Sequence, residues 1–275
     1  FGPAGGGQKA PVNFRSYFGR YWKDEEKRER TSQWMIRYSP ACKGMIREAH
    51  AVLVSNPDTY KMVQQIGAKN IITTLDAALP ESFFPKDNII KGGIPGELKL
   101  LWVGRFLPRK GIMLLLDVMK ELKKYPGISL TVVGDGEMKK TFLDGIRDFQ
   151  LENTVNWKGK VPYEQVTEFY ASHDVFFFTS LRDSCPAQLI EAMAFAQPIV
   201  TLNLHGQSVI VSDNTGFRCA CGTPDIAISE LKKAILYLYN NPKKIEDMGK
   251  AARSFAKEQT WEKKIENIIK TCYPK

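Results

Sequence analysis

No apolar run in the 275-residue chain approaches the ~20 residues that a membrane-crossing helix needs; stretches such as Ile112–Leu116 and Val175–Phe178 are far shorter. Histidine is scarce, and His50, His173 and His205 stand alone, without the spacing of a metal site. No two aspartates are separated by one residue, so a carboxylate-held Mg²⁺ or Mn²⁺ on that pattern has no basis, and no metal is expected. The Walker loop, the G-x-S-x-G elbow and the H-E-x-x-H helix are absent too. Five cysteines (Cys42, Cys185, Cys219, Cys221, Cys272) are scattered and odd in number, and the Cys219/Cys221 spacing suits neither a zinc ribbon nor a thioredoxin-type motif. They imply idle thiols in a reducing, cytoplasmic setting. No signal peptide is recognisable, and the start on Phe1-Gly2-Pro3 without an initiator Met reads as a fragment of a longer protein.

What is present is core-forming material. With 43% apolar residues, 15 Phe, 10 Tyr and 5 Trp, dominant disorder is excluded, and the length suits one large or two small domains. Net charge is +9, with 14 basic against 10 acidic residues up to Glu97 and 25 against 20 after it. So even an excess is compatible with an anionic membrane surface, a phosphorylated substrate or a solvated surface. A nucleic-acid partner is not expected, because no basic stripe with interleaved aromatics occurs.

Phe1–Pro11 is Gly-rich and reads as a loop, followed by a mixed-charge, exposed helix around Lys23–Arg30 and an amphipathic stretch to about His50. A strand (Ala51–Ser55), a helix (Pro57–Gly67) and a strand (Asn70–Thr74) come next, and Glu81–Glu97 has the Pro/Gly content of a linker. After it, strands at Leu98–Val103, Ile128–Val133, Thr154–Trp157, Asp174–Thr179 and Ile199–Leu202 alternate with helices at Ile112–Tyr125, Met138–Phe149, Tyr163–Ala171 and Ala187–Ala194. Short apolar strands alternating with longer helices predict an α/β fold with right-handed crossovers on a parallel sheet. Three helices, Asp225–Tyr239, Pro242–Glu258 and Trp261–Cys272, close the chain.

In such a sheet, ligands bind beyond the carboxyl ends of the strands, so the strand-to-helix loops are where chemistry is expected. After Val103, Gly104 allows close backbone approach, and Arg105 and Lys110 flank a loop that opens a helix. Two cations beside unpaired helix amides make an anion site; a solvated basic loop is the plainer alternative. Gly134 and Gly136 form a second loop, for which a structural turn and a ligand loop are equally good readings. The third loop carries Asp183 and Pro186 and leads into a helix whose first amides (Ala187, Gln188, Leu189) point outward and whose first turns carry Glu191. Carboxylates on either side of those amides can hold sugar hydroxyls while the amides hold phosphate; taken alone, a capping Asp183 and a surface Glu191 are the simpler account. His173 reads as structural, and His205-Gly206 lies at the ligand-facing edge.

Taken in order, Leu98 to Trp261 resembles the donor half of retaining glycosyltransferases of the GT-B fold, glycosyltransferase family 4. A G-R-x4-K-G signature is present as Gly104, Arg105, Lys110 and Gly111, and a V-G-x-G turn as Val133, Gly134 and Gly136. An E-x7-E pattern followed by A-M-A-x-G-x-P-V-V is matched by Asp183 to Glu191 and then Ala192 to Val200. The resemblance implies a complete C-terminal Rossmann-like domain (98–258), preceded by the end of an acceptor-side Rossmann-like domain with its linker (1–97) and followed by a helix returning to that first domain (259–275).

It further implies a retaining, metal-independent sugar transfer from a nucleotide-sugar donor, with no other cofactor, to a glycan or lipid-linked acceptor in cell-surface polysaccharide or glycoconjugate synthesis. Arg105 and Lys110 would bind the diphosphate, Asp183 the donor sugar and Glu191 the ribose, and the loop near Lys158–Val161 would line the base. Asp183 stands where the family usually has Glu, Cys185-Pro186 where Phe-Gly is common, and Ala196 where Gly is frequent. These departures bear on donor sugar identity and on activity. A non-catalytic nucleotide-sugar-binding protein and another GT-B enzyme, such as a sugar phosphorylase, are the alternatives. The basic excess would allow peripheral contact with an anionic inner membrane face.

Overall fold

The computed structural model describes residues 2, 6–87, 89, 91, 92 and 94–273. Phe1, Pro3, Ala4 and Gly5 of the expected Gly-rich loop, and Asn88, Ile90 and Gly93 of the expected linker, lie outside them.

The chain opens with a short helix α1 (Arg15–Phe18), then α2 (Trp22–Tyr38) and α3 (Pro40–Glu48). The mixed-charge helix is longer than its charge run and not wholly exposed, since Trp22 and Glu25 are buried. Strands β1 (Val52–Val54) and β2 (Ile71–Thr73) pair in parallel on either side of α4 (Pro57–Ile66). Asn56 caps α4 by accepting from the Thr59 amide, Pro57 occupies the first turn, and Gly67 ends the helix at φ +100°. Val52, Val54, Val63, Ile66 and Ile46 form a small core of their own.

Six strands make the second, fully parallel sheet: β3 (Leu98–Val103), β4 (Ile128–Val133), β5 (Val155–Gly159), β6 (Val175–Phe178), β7 (Ile199–Leu202) and β8 (Gly216–Cys219), in the order β5-β4-β3-β6-β7-β8. The connecting helices are α5 (Ile112–Leu122), α6 (Lys139–Asp148), α7 (Tyr163–Ser172), α8 (Ala187–Ala194) and the short α9 (Gln207–Ile210), followed by α10 (Pro224–Asn240), α11 (Pro242–Lys257) and α12 (Trp261–Cys272). Alternate residues of β3 serve the two faces. Leu98, Leu100 and Trp102 join a core with α5, α6 and α10, and Leu101 joins one with α8 and α11.

The Glu81–Glu97 segment is more firmly held than its composition suggests. Lys91 is buried and donates to the Tyr170 carbonyl at 3.0 Å, while Arg253 donates to the carbonyls of Pro85 and Asp87 at 2.9 and 3.1 Å. Phe83 packs edge-on against Phe195. Beyond α11, Leu79 and Thr260 form a parallel bridge. Lys264 of α12 reaches the Leu75 carbonyl, and Asn267, Ile268 and Thr271 share a groove with Leu53 and Ile72 beside the small sheet.

Candidate functional site

The strand order puts the turning point of the sheet between β3 and β6: after β3 the chain builds outward through β4 and β5, and after β6 through β7 and β8. Loops leaving two such strands come side by side and leave a crevice at their carboxyl ends. The two loops are stitched together. The Leu181 amide and the Ser180 hydroxyl donate to the Arg109 carbonyl at 2.8 and 3.1 Å, and the Thr179 hydroxyl donates to the Lys110 carbonyl at 3.1 Å. Gly111 makes this possible: it sits at φ +65°, and a Cβ there would lie 2.1 Å from the Thr179 carbonyl oxygen.

Asp183 stands at the centre of the joined loops. Its Oδ2 accepts from Lys110 Nζ at 2.5 Å and from the Ser180 hydroxyl at 3.2 Å, and Arg109 Nη1 lies 3.5 Å away. Arg109 also donates to the Arg182 carbonyl at 3.1 Å. Lys110 is only 5% exposed, with its ammonium 5.1 Å from the centre of the Phe178 ring. Burial pushes that ammonium below the usual lysine value; Asp183 opposes the shift, and the nearby charges of Arg109 and Arg105 add to it. Arg105 itself is exposed. Two cations thus contact one carboxylate, and a third, Arg105, brings its charge near Lys110 with its side chain exposed.

The Gly134–Gly136 loop abuts the same crevice. A Cβ on Gly134 (φ +140°) would fall 1.8 Å from the Gly104 carbonyl oxygen, and one on Gly136 (φ +153°) 3.0 Å from Phe106 backbone. Phe106 donates to the Asp135 carbonyl and accepts from the Met138 amide. Packing of one loop on the other accounts for the small size of both glycines, as the structural turn requires, and leaves the loop at the edge of the crevice. At Gly104 a Cβ would lie 3.0 Å from the Trp102 ring.

At α8 the structure corrects several expectations. Asp183 does not cap the helix: Pro186 holds the cap position and no side chain caps the end. The Leu189 amide does not point outward either, because it donates to the Pro186 carbonyl at 3.1 Å, and Leu189 is buried; Ala187 and Gln188 are half-buried in the first turn. Glu191 is no surface residue. It is 9% exposed, and its two oxygens accept from the hydroxyls of Tyr163 (3.2 Å) and Tyr170 (2.8 Å). Burial raises its carboxyl above the usual range, and the two hydroxyls only partly offset that. Lys158 is likewise not in a loop, because β5 runs on to Gly159.

Spacing alone did not single out Arg109, Arg182, Ser180, Tyr163 or Tyr170. Arg109 neighbours Lys110 and was legible only as part of a basic loop, and the tyrosines reach Glu191 from a helix of their own. Arg182 turns away from the crevice to the buried Glu25, at 2.7 Å (Nε to Oε1) and 3.0 Å (Nη2 to Oε2). Asn56 donates to the Ser184 hydroxyl at 3.1 Å. His205 bridges Asp58 and the Lys9 carbonyl at 2.7 and 2.9 Å, and His173 is held by Phe169 and Thr131. Among the described residues no group of three or more His, Cys, Asp or Glu side chains is placed to hold a metal ion, and no helix is long and apolar enough to cross a membrane.

A parallel sheet of this order, with a cation-rich crevice at its turning point, defines a doubly wound α/β protein. Residues 86–255 match the family described as Glycosyl transferases group 1, and the chain belongs to that family. It is similar to an uncharacterized glycosyltransferase of Haemophilus influenzae, 29% identical over 206 residues that cover 74% of this chain and 55% of that protein. It is also similar to the amylovoran biosynthesis glycosyltransferase AmsD of Erwinia amylovora, 33% identical over 42% of this chain and 32% of that one. The chain thus spans about half of the first of these relatives, and less of the second. Among solved structures, Anabaena HepE in complex with UDP-glucose superposes with a TM-score of 0.69 at 19% identity, covering 88% of this chain and 68% of that one. The S. aureus TarM structure gives 0.68 at 20% identity, covering 89% and 46%. These likenesses establish the GT-B type of α/β fold.

Proposed function

We propose that this chain forms the donor side of a glycosyltransferase that moves a sugar from a nucleoside diphosphate sugar to a glycan or lipid-linked acceptor with retention of configuration, in cell-surface polysaccharide or glycoconjugate synthesis. The observation that carries this reading is the pairing of Arg109 and Lys110 with the carboxylate of Asp183 at the turning point of the sheet, with the charge of Arg105 close to Lys110. A diphosphate entering there meets the exposed Arg105 first and the first turn of α8, with Ala187 and Gln188, beside it. As the glycosidic bond breaks, Arg105 and Lys110 offset the charge that builds on the departing diphosphate, the task a metal ion performs elsewhere. Asp183, held by Lys110, faces the donor sugar, and Glu191, fixed by two tyrosine hydroxyls, meets the ribose. UDP-sugar complexes of structural neighbours support a nucleotide-sugar donor.

Thermal-shift screening against UDP-, GDP-, ADP- and TDP-sugars tests it: one of them stabilises the protein, and Arg105→Ala removes the effect. No stabilisation by any of them refutes the reading. The capture of Asp183 by Lys110 favours a second reading, a nucleotide-sugar-binding protein without catalysis, which donor binding without transfer or hydrolysis in the complete protein would select. Peripheral contact with an anionic membrane is supported by Trp34, Met35 and Tyr38, which stand exposed at the end of α2 beside Arg30 and Arg37. Failure to sediment with acidic vesicles removes it.

A further inference from the structure

A second basic site lies across the Asp183 loop from the crevice. A cavity of about 640 Å³ opens between α2, α3, α4 and His205, and Lys9, Arg37, Lys43, Arg47 and Lys61 all line it. Only one acid, Asp58, shares the lining, and it is engaged by His205 at 2.7 Å. Lys9 is neutralised by Glu29 at 2.6 Å, and Arg47 donates to the Ile66 carbonyl at 2.8 Å. Lys43, Lys61 and Arg37 have no acidic partner among the described residues; Arg37 lies over the Tyr38 ring.

Concentrating like charge in this way is unfavourable unless something anionic relieves it, and Lys43 and Arg47 sit one helical turn apart, where like charges repel. Ile36, Met62 and Ile66 give the cavity apolar wall as well. It is therefore shaped for a molecule with an anionic group on a less polar body. Its position ties it to the donor loops: His205 is followed by Gly206, whose amide donates to the Asp183 carbonyl at 3.1 Å, and a Cβ on Gly206 would lie 1.8 Å from the Ser184 carbonyl oxygen.

We infer that this cavity receives a phosphate group of the acceptor, so that the acceptor is a phosphorylated molecule and not a neutral glycan. The inference rests on the glycosyltransferase reading for the word acceptor, but the phosphate site stands or falls by itself. Arg37, Lys43 and Lys61 hold the phosphate, and the Asp58–His205 pair fixes the wall between it and the Asp183 loop.

Calorimetric titration of the full chain with glycerol 3-phosphate, with glycerol as the neutral control, and sedimentation with vesicles containing phosphatidic acid, test it together. Glycerol 3-phosphate is expected to bind saturably while glycerol does not. Lys43→Ala/Lys61→Ala, at an unchanged melting temperature, weakens that binding at least tenfold and leaves UDP affinity within twofold. Binding to the vesicles alone, lost in the same variant, assigns the phosphate to a lipid headgroup and equally supports the site. No binding of either probe, equal binding of glycerol, or binding that survives in the double variant and vanishes in Arg105→Ala overturns it. If no nucleotide sugar binds while glycerol 3-phosphate still does, the donor reading falls and the phosphate site remains.

Discussion

Lys110 donates to Asp183 Oδ2 at 2.5 Å across the join between two loops that are 73 residues apart in the chain. This contact turns two separate sequence signatures into one electrostatic unit. The carboxylate holds a buried lysine side chain charged beside the crevice; under the proposed donor reading a diphosphate would compete with Asp183 for that ammonium, while Arg109, 3.5 Å away, would retain the carboxylate. Of the three cations Arg105 is the exposed one, and it makes no ion pair among the described residues.

Arg105→Ala should therefore separate function from folding. The side chain is exposed, so stability should change by less than about 0.5 kcal/mol, while turnover in the complete enzyme falls at least tenfold and toward ~10²–10³ if the contact strengthens in the transition state. Steady-state kinetics beside a melting curve reads both. An unchanged rate removes the phosphate role.

Asp183→Asn should do the opposite to folding, leaving the buried Lys110 ammonium without its strongest counter-charge. Burial already places the folded ammonium below the usual lysine value, and the Asn variant lowers it further. A lysine depressed in the folded state costs stability at neutral pH, and that cost fades as pH rises toward the unfolded value near ~10.4. The stability gap between variant and parent, measured by urea unfolding, should be ~1–3 kcal/mol at pH 7 and narrow by pH 10. A gap that is constant with pH would show that Lys110 is not what the carboxylate serves.

The strands and crossover helices were legible because parallel strands buried on both faces are continuous apolar runs. Leu98–Val103, Ile128–Val133 and Ile199–Leu202 fall where their composition placed them. β8 was not, since Gly216-Phe217-Arg218-Cys219 is neither an apolar run nor an alternation, and its place comes from pairing with β7. Spacing singled out Arg105, Lys110, Asp183 and Glu191 but not the partners that hold them. Tyr163 and Tyr170 reach Glu191 from 28 and 21 residues away, and Glu25 meets Arg182 from 157 residues away. Such distances in sequence leave no local pattern, and the close approach of Gly134 to Gly104 across 30 residues left none either.

Glu191→Gln should lower donor affinity without harming the fold. A carboxyl raised by burial supports folding when protonated, and that support is lost as pH climbs through its folded value, so the parent's cost of ionising a buried acid grows with pH. The Gln variant should melt at the same temperature or higher at pH 7.5, with the difference shrinking toward pH 4. Calorimetry should show weaker nucleotide binding; equal affinities would remove the ribose assignment.

The Glu25–Arg182 pair fastens α2 to the loop that carries Asp183. Burial opposes the charge on Glu25, but hydrogen bonds and charge from Arg28 and Arg182 outweigh it and hold the carboxyl below its usual value. Arg182→Met should cost ~1–2 kcal/mol at pH 7, because it leaves a buried carboxylate with Arg28 as its remaining cation. Glu25→Leu/Arg182→Met should recover most of that loss, and the single variant's deficit should shrink in acid as Glu25 takes up a proton. A double variant as unstable as the single one would mean that the pair is packing and not charge.

Gly134→Ala tests whether loop packing sets the crevice. The added methyl would lie 1.8 Å from the Gly104 carbonyl oxygen, on a backbone at φ +140° that L side chains rarely adopt, so both backbone and neighbour must move. Gly104 directly precedes Arg105, and any retreat of the first loop carries that guanidinium with it. The expected result is a stability loss above ~2 kcal/mol together with at least tenfold weaker nucleotide binding, although no ligand-contacting side chain is altered. Gly159→Ala, where φ is also positive but the nearest atom is 3.9 Å away on the Trp157 ring, supplies the control for backbone strain alone. If the two variants lose nucleotide affinity equally, the approach of Gly134 to Gly104 is not what shapes the site.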